Sequence, residues 1–322
     1  MESYKLLRKL YTDSKKADPA WCLCQALSIL NLAEPDEERF YRKHRSENAA
    51  PAQATLDDDA WSKVMHWDLD PILTRLFAMI QPTIVRTRTQ PIEQIGFDPR
   101  LAIDTSTHPY PVSQTLYYVQ GVLAMPPVLT FQNPNDTGSL GIVHARTPAI
   151  VLGQAAFDNT IPNQSLAFLA GRHLTSFRPG FYVRHLVPTG TGLKAWLFAA
   201  IKLCVPQFPV SPDLMGQVNE AMQAMSQDFV GGEKDKLASV VSKLLQAGGA
   251  LDLKKWVAAI DLTADRVGFL LAHDLQLATE VIRSTEEATS VAVKERMKDI
   301  VLFSVSDEYF ALRQKLSISI DA

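Results

Sequence analysis

The chain has 322 residues, is 47% hydrophobic, and sets 32 Lys+Arg against 35 Asp+Glu for a formal net charge of −3. That balance, with basic residues scattered apart from Arg42-Lys43-His44-Arg45, is no footprint for nucleic acid, and the apolar content is enough to bury at least one substantial core. Cys22, Cys24 and Cys204 are too few for a disulfide framework and read as buried thiols; with no signal peptide and no membrane span, a soluble cytoplasmic protein is expected.

Residues 1–46 read as a helical segment. Leu6, Leu7, Leu10 and Tyr11 form one stripe, Trp21, Leu23, Cys24, Leu27, Leu30 and Leu32 another, with Asp18-Pro19 starting the second helix and Glu34-Pro35 opening a third. The second and third helices loosely resemble one tetratricopeptide unit, with an aromatic near the start of the first and Tyr41 in the other. A single such unit cannot bury both faces, so it would pack on the rest of the chain or cap further repeats; a plain helical hairpin is the other reading. Residues 47–62 are small, polar and Pro-containing and read as a linker, which leaves 63–322 as the main domain.

An amphipathic helix is expected over 69–82, ended by Pro82. The period then changes. "QTLYYVQGVLAM", "PPVLTF", "SLGIVHA" and "PAIVLG" are rich in β-formers and separated by turn residues, which predicts three or four strands over about 113–153. Helices follow at 163–178, 193–205, 212–230, 233–247, 251–272, 274–288 and 290–317, with Ser306 placed to restart or cap a helix in the last. The fold class is therefore α+β, predominantly helical, with helices packed around a small sheet.

Within "SLAFLAGRHLTSFRPG", residues 165–180, Leu166, Leu169, Ala170, Leu174 and Phe177 make the core stripe, and Gly171 and Thr175 sit four apart at its border with Arg172 between them. A later helix carries Asp261 and Asp265, also four apart, in "DLTADR". This run resembles the third-ligand helix, Glu-x-x-Ala-Asp-Arg, of the gluzincin metallopeptidases that include the CAAX-processing protease and the bacterial heat-shock membrane protease. The order of elements over roughly 65–290 is similar too.

The resemblance implies a zincin-like core from which the chemistry is missing. Gly171 and Thr175 stand where the family has the two histidines of His-Glu-x-x-His, Arg172 replaces the general base, and Asp261 replaces the glutamate ligand. Zinc needs three or four N, S or O donors at about 2.0–2.3 Å; glycine offers none, and an arginine cation opposes a divalent ion. Gly171, Arg172, Thr175, Asp261 and Asp265 would then mark a vestigial site with no metal, no cofactor and no catalytic residue. Arg172 is expected to pair with Asp261 or Asp265, a guanidinium standing where the cation stood.

The other candidates are weak. His173 lies on the apolar stripe and reads as a hydrogen-bonded core residue, and His144, His173 and His185 lack the spacing of a metal set. Gly190-x-Gly192-x-Lys194 has the wrong glycine spacing for a phosphate loop, no Gly-x-Ser-x-Gly occurs, and Cys204 has no adjacent acid or imidazole. The function expected is a non-catalytic interaction or scaffold module for a protein or peptide partner, with a groove between "PAIVLG" and the 163–178 helix. Two alternatives stay open: a hydrolase of another class using Asp261 and Asp265 with His173 or His273, or the end piece of a longer helical-repeat protein.

Overall fold

The computed structural model describes residues 2–45, 51–158, 160–248, 252–284 and 289–320. The chain begins with α1 (Glu2–Asp13), α2 (Ala17–Ile29) and α3 (Pro35–His44), the last starting on a capping box in which Glu37 accepts from the Glu34 N–H. α4 (Asp58–Val64) and α5 (Pro71–Arg88) are capped by the Asp57 and Asp70 carboxylates, and α6 (Pro111–Val122) has proline in its first turn. Strands β1 (Leu129–Gln132), β2 (Leu140–Val143) and β3 (Ala149–Leu152) follow. Next come α7 (Asn163–Thr175), α8 (Val183–Leu186), α9 (Gly190–Cys204), α10 (Pro212–Ser226) and α11 (Gly232–Gln246). The chain continues through α12 (Leu253–Ala272), α13 (Leu275–Ser284), α14 (Val293–Phe303) and α15 (Asp307–Lys315). The architecture is α+β and predominantly helical, and among the described residues no helix is long and apolar enough to cross a membrane.

Several expected elements are corrected. "QTLYYVQGVLAM" is not a strand but most of α6: Pro111 starts it, and Val112, Leu116, Val119 and Val122 recur at helical spacing and are buried. The sheet is therefore confined to 129–152, with order β1-β3-β2. α5 does not stop at Pro82; burial of Phe77, Ile80, Thr83 and Ile84 on both sides of the proline offsets the lost backbone bond. The expected helix 290–317 divides at Ser306, whose hydroxyl accepts from the Tyr309 N–H at 3.2 Å and starts α15. Much of the expected linker is packed: Leu56, Ala60 and Trp61 are buried, and the Leu56 N–H donates to the Val122 carbonyl at 2.8 Å. Residue 46 of the expected helical segment, 47–50 of that linker, and 251 and 285–288 of the expected helices lie outside the described residues.

α12 is the spine of the molecule, about 30 Å long at 1.5 Å per residue. Its first half buries Trp256, Ala259 and Ile260 in a core shared with α5, α9, α10 and α11. Its second half buries Val267, Phe269, Leu270 and Leu271 in another core, shared with α7, α14, α15 and the N-terminal hairpin. The sheet alternates faces: Ile150 and Leu152 enter that second core, while Ala149 and Val151 join Ile92, Phe131 and Val143 in a small cluster on the other side.

The α2–α3 hairpin packs on the rest of the chain. Trp21, Cys22, Cys24, Ala26 and Tyr41 lie in the same core as α7 and α12. Buried Asp18 receives a bidentate pair from Arg313 of α15, with Nε and Nη2 at 2.9 and 2.7 Å from its two oxygens. α1 behaves differently: none of its described residues is buried, and Leu6, Leu7 and Leu10 are 61%, 38% and 52% exposed.

Candidate functional site

α7 and α12 cross in close contact. A Cβ on Gly171 would stand 2.7 Å from Leu271 Cδ1 and 3.2 Å from the Gly268 Cα, and a Cβ on Gly268 would stand 2.6 Å from the Phe168 carbonyl oxygen. The two glycines let the helix backbones meet, the usual reason for glycine inside buried helices. Position 171 therefore faces Gly268 and Leu271 rather than the Asp261 carboxylate, and no imidazole fits there. Thr175 is buried one turn on and donates its hydroxyl to the Gly171 carbonyl at 2.7 Å. Of the five positions singled out in the sequence, these two are occupied with packing.

One turn of α12 away from this crossing the charges gather. Arg172 Nη1 donates to Asp265 Oδ1, one of the two partners expected for it, and lies 3.4 Å from the Asp261 carbonyl oxygen. Asp265, fully buried, is held from its other side by Arg296 of α14, with Nε and Nη2 at 2.7 and 2.8 Å from Oδ2 and Oδ1. The Asp261 carboxylate does not share this network. It accepts from Arg184 Nη2 at 2.8 Å, from the Ser290 N–H at 2.8 Å and from the Ser290 hydroxyl at 2.9 Å.

Among the described residues, three guanidiniums thus surround two carboxylates. A carboxylate whose oxygens already accept several charge-assisted bonds has few lone pairs left for a metal ion. Such a buried set fixes how the helices sit against each other more than it adds stability. Further along α12, Arg266 makes a second bidentate pair with Asp299 of α14 at 2.9 and 2.7 Å. Burial alone would raise the Asp299 carboxyl, but hydrogen bonds from His66 and Arg266 outweigh it and hold it below the ordinary carboxylate range.

The histidines do not make a second centre. His144 and His185 stack with ring centroids 5.4 Å apart, and His173 spends Nε2 on the Leu140 carbonyl at 3.1 Å. His185 is pushed down to about 3 by burial, with the fields of Arg184, His144 and His173 adding and Asp261 opposing. His273 ends α12 with a left-handed φ of 39° and belongs to the Asp18–Arg313 corner; burial and Arg313 push it down to about 4. Asp261 and Asp265 are thus engaged by arginines, His173 bonds the sheet, and His273 sits apart, so these four residues do not converge. Among the described residues no three His, Cys, Asp or Glu side chains converge to hold a metal ion. Cys22 and Cys24 are buried, and burial pushes the Cys24 thiol up to about 11, away from nucleophilic use.

The expected groove is corrected as well. "PAIVLG" forms β3, the fully buried central strand, which pairs parallel with β1 and antiparallel with β2. The strand packed along α7 is β2, an edge strand whose Leu140 carbonyl is already taken by His173. A cleft of about 440 Å³ opens beside the Asp261 cluster, lined by Arg184, Lys254, Ser290, Val187, Leu193 and Val257.

Sequence reasoning missed Arg184, Arg296, Ser290 and Gly268. Arg296 had a signal: it shares a stripe with Ile300 and Phe303, four and seven residues on, so it lies on the inward face of α14. Comparison with protein-family models, curated proteins and solved structures finds no match to this chain.

Proposed function

We propose that this chain is a non-catalytic, zincin-like protein that binds a protein or peptide partner without turning it over. The observation that carries the reading is the buried Arg172–Asp265–Arg296 network: on this reading, guanidinium groups joining α7, α12 and α14 take the role that an ion has in an active metallopeptidase. The adjacency of α7 and α12, the edge strand β2 beside α7 and the Asp261/Asp265 spacing support the zincin-like part of the proposal. The test is incubation of the purified protein with a mixture of unfolded polypeptides, with and without added zinc, followed by mass spectrometry. Intact substrate under both conditions is expected. Cleavage that a chelator abolishes would overturn the reading.

A second reading, the end piece of a longer helical stack, is favoured by the outer face of α1, where Leu6, Leu7 and Leu10 are solvated. A repeat packed on that face would cover them.

A further inference from the structure

α14 has two adjacent faces. Arg296, Ile300 and Phe303 go inward, whereas Val293, Met297 and Val301, spaced by four, line a groove of about 730 Å³ together with Leu302. The facing wall belongs to the N-terminal hairpin, with Tyr4 from α1 and Ile29 and Leu30 from the end of α2. Val293 and Leu302 are each 43% exposed and Leu30 is 42% exposed, so the groove keeps large apolar side chains in water. Among the described residues, the charged ones that line it are Arg283, Lys294 and Lys298, all basic. Lys298 lies 4.0 Å from Glu295 on its own helix; among the described residues no carboxylate pairs with Arg283 or Lys294.

We infer that this groove docks an amphipathic helix of a partner protein, apolar face down, with acidic residues along its flanks. The inference rests on the binding reading above and names the surface and the partner's chemistry. The α14 wall from Val293 to Leu302 is about 14 Å long, which matches anchors at i, i+4 and i+7 of a docked helix. Among the described residues no strand lines the groove, so an extended peptide would find no backbone ladder there. The basic rim supplies the charge term: acidic flanks are attracted and basic ones repelled.

The test uses a displayed library of short amphipathic helices with apolar residues fixed at i, i+4 and i+7 and flanking positions randomised among Glu, Gln and Lys. Selection on the full-length protein is expected to enrich Glu. The selected peptide should bind K294E/K298E about tenfold more weakly or worse, because both lysines are exposed and their reversal leaves the fold intact. Selection on that variant should move enrichment from Glu toward Lys. No enrichment, Lys enrichment on the native protein, or binding unchanged in the variant overturns the groove. Binding to vesicles of anionic lipid with no peptide selected also overturns it and makes the surface a membrane contact. Cleavage of the selected peptide would instead sink the non-catalytic reading, so the two failures are distinguishable.

Discussion

Gly171 and Gly268 face each other where α7 crosses α12, so close that a methyl group on the first would sit 3.2 Å from the Cα of the second. The two positions are not equivalent. A side chain at 171 first meets the far end of Leu271, at 2.7 Å, which can swing aside; one at 268 meets the Phe168 carbonyl, at 2.6 Å, which cannot. Gly268→Ala is therefore expected to destabilise by about 3 kcal/mol and Gly171→Ala by about 1 kcal/mol, each net of the gain from replacing glycine in a helix. Urea unfolding midpoints check the order, and equal losses would show that the crossing is not set by backbone contact at Gly268.

Asp265 holds Arg172 and Arg296 together, so the three residues should respond unequally to substitution. Asp265→Asn takes the buried counter-charge from Arg296 and weakens the hold on Arg172, and is expected to cost on the order of 3–5 kcal/mol. Arg172→Met keeps the bidentate Asp265–Arg296 pair and should cost only about 1–2 kcal/mol. Chemical denaturation of the two variants measures the difference. A loss in the aspartate variant no larger than that of the arginine variant would remove the network from its central place.

That Arg172 pairs with one of two aspartates, Asp261 or Asp265, was legible from the family resemblance, which set their helices opposite each other; which of the two carboxylates takes it was not. The Ser306 cap was legible for a local reason. α6 was misread because its Val, Tyr and Leu content favours strand, while the spacing of Val112, Leu116 and Val119 and the proline at its start favour helix; packing against α7 decides for spacing. Arg184 and Ser290 reach Asp261 from 77 and 29 residues away, and no local pattern encodes such a meeting. Gly268 looked like an ordinary helix glycine because its reason for being there is the Phe168 carbonyl on another helix.

His185 gives the protein a pH dependence of known sign. Its pKa is pushed down to about 3 in the folded chain, against an ordinary value of 6.5. Between those values the unfolded chain binds a proton that the native one refuses. The stability held by neutral His185 is thus full above about pH 6.5 and declines by up to about 1.4 kcal/mol per pH unit as pH falls toward 3. His185→Gln should flatten the stability profile between about pH 4 and 6 by that slope. A profile as steep as that of the native protein would show that other groups carry it.

Asp18 ties the start of the chain to its end, accepting from Arg313 and from the Ile320 N–H at 2.9 Å. Asp18→Asn should therefore loosen both ends at once. Hydrogen exchange read by mass spectrometry is expected to speed up in α2 and in residues 316–320 together, with α9–α11 unchanged. Faster exchange at only one of the two ends would mean that the pair is not what joins them.

The measurement that bears most directly on the guanidinium-for-metal account is the metal content of the purified, untagged protein before any chelator is used, read by inductively coupled plasma mass spectrometry. The account predicts less than about a tenth of an equivalent of transition metal, because a structural zinc site binds too tightly to be emptied by purification. Stoichiometric zinc would contradict it and move the search for the site to His144, His173, His185 and the cysteines.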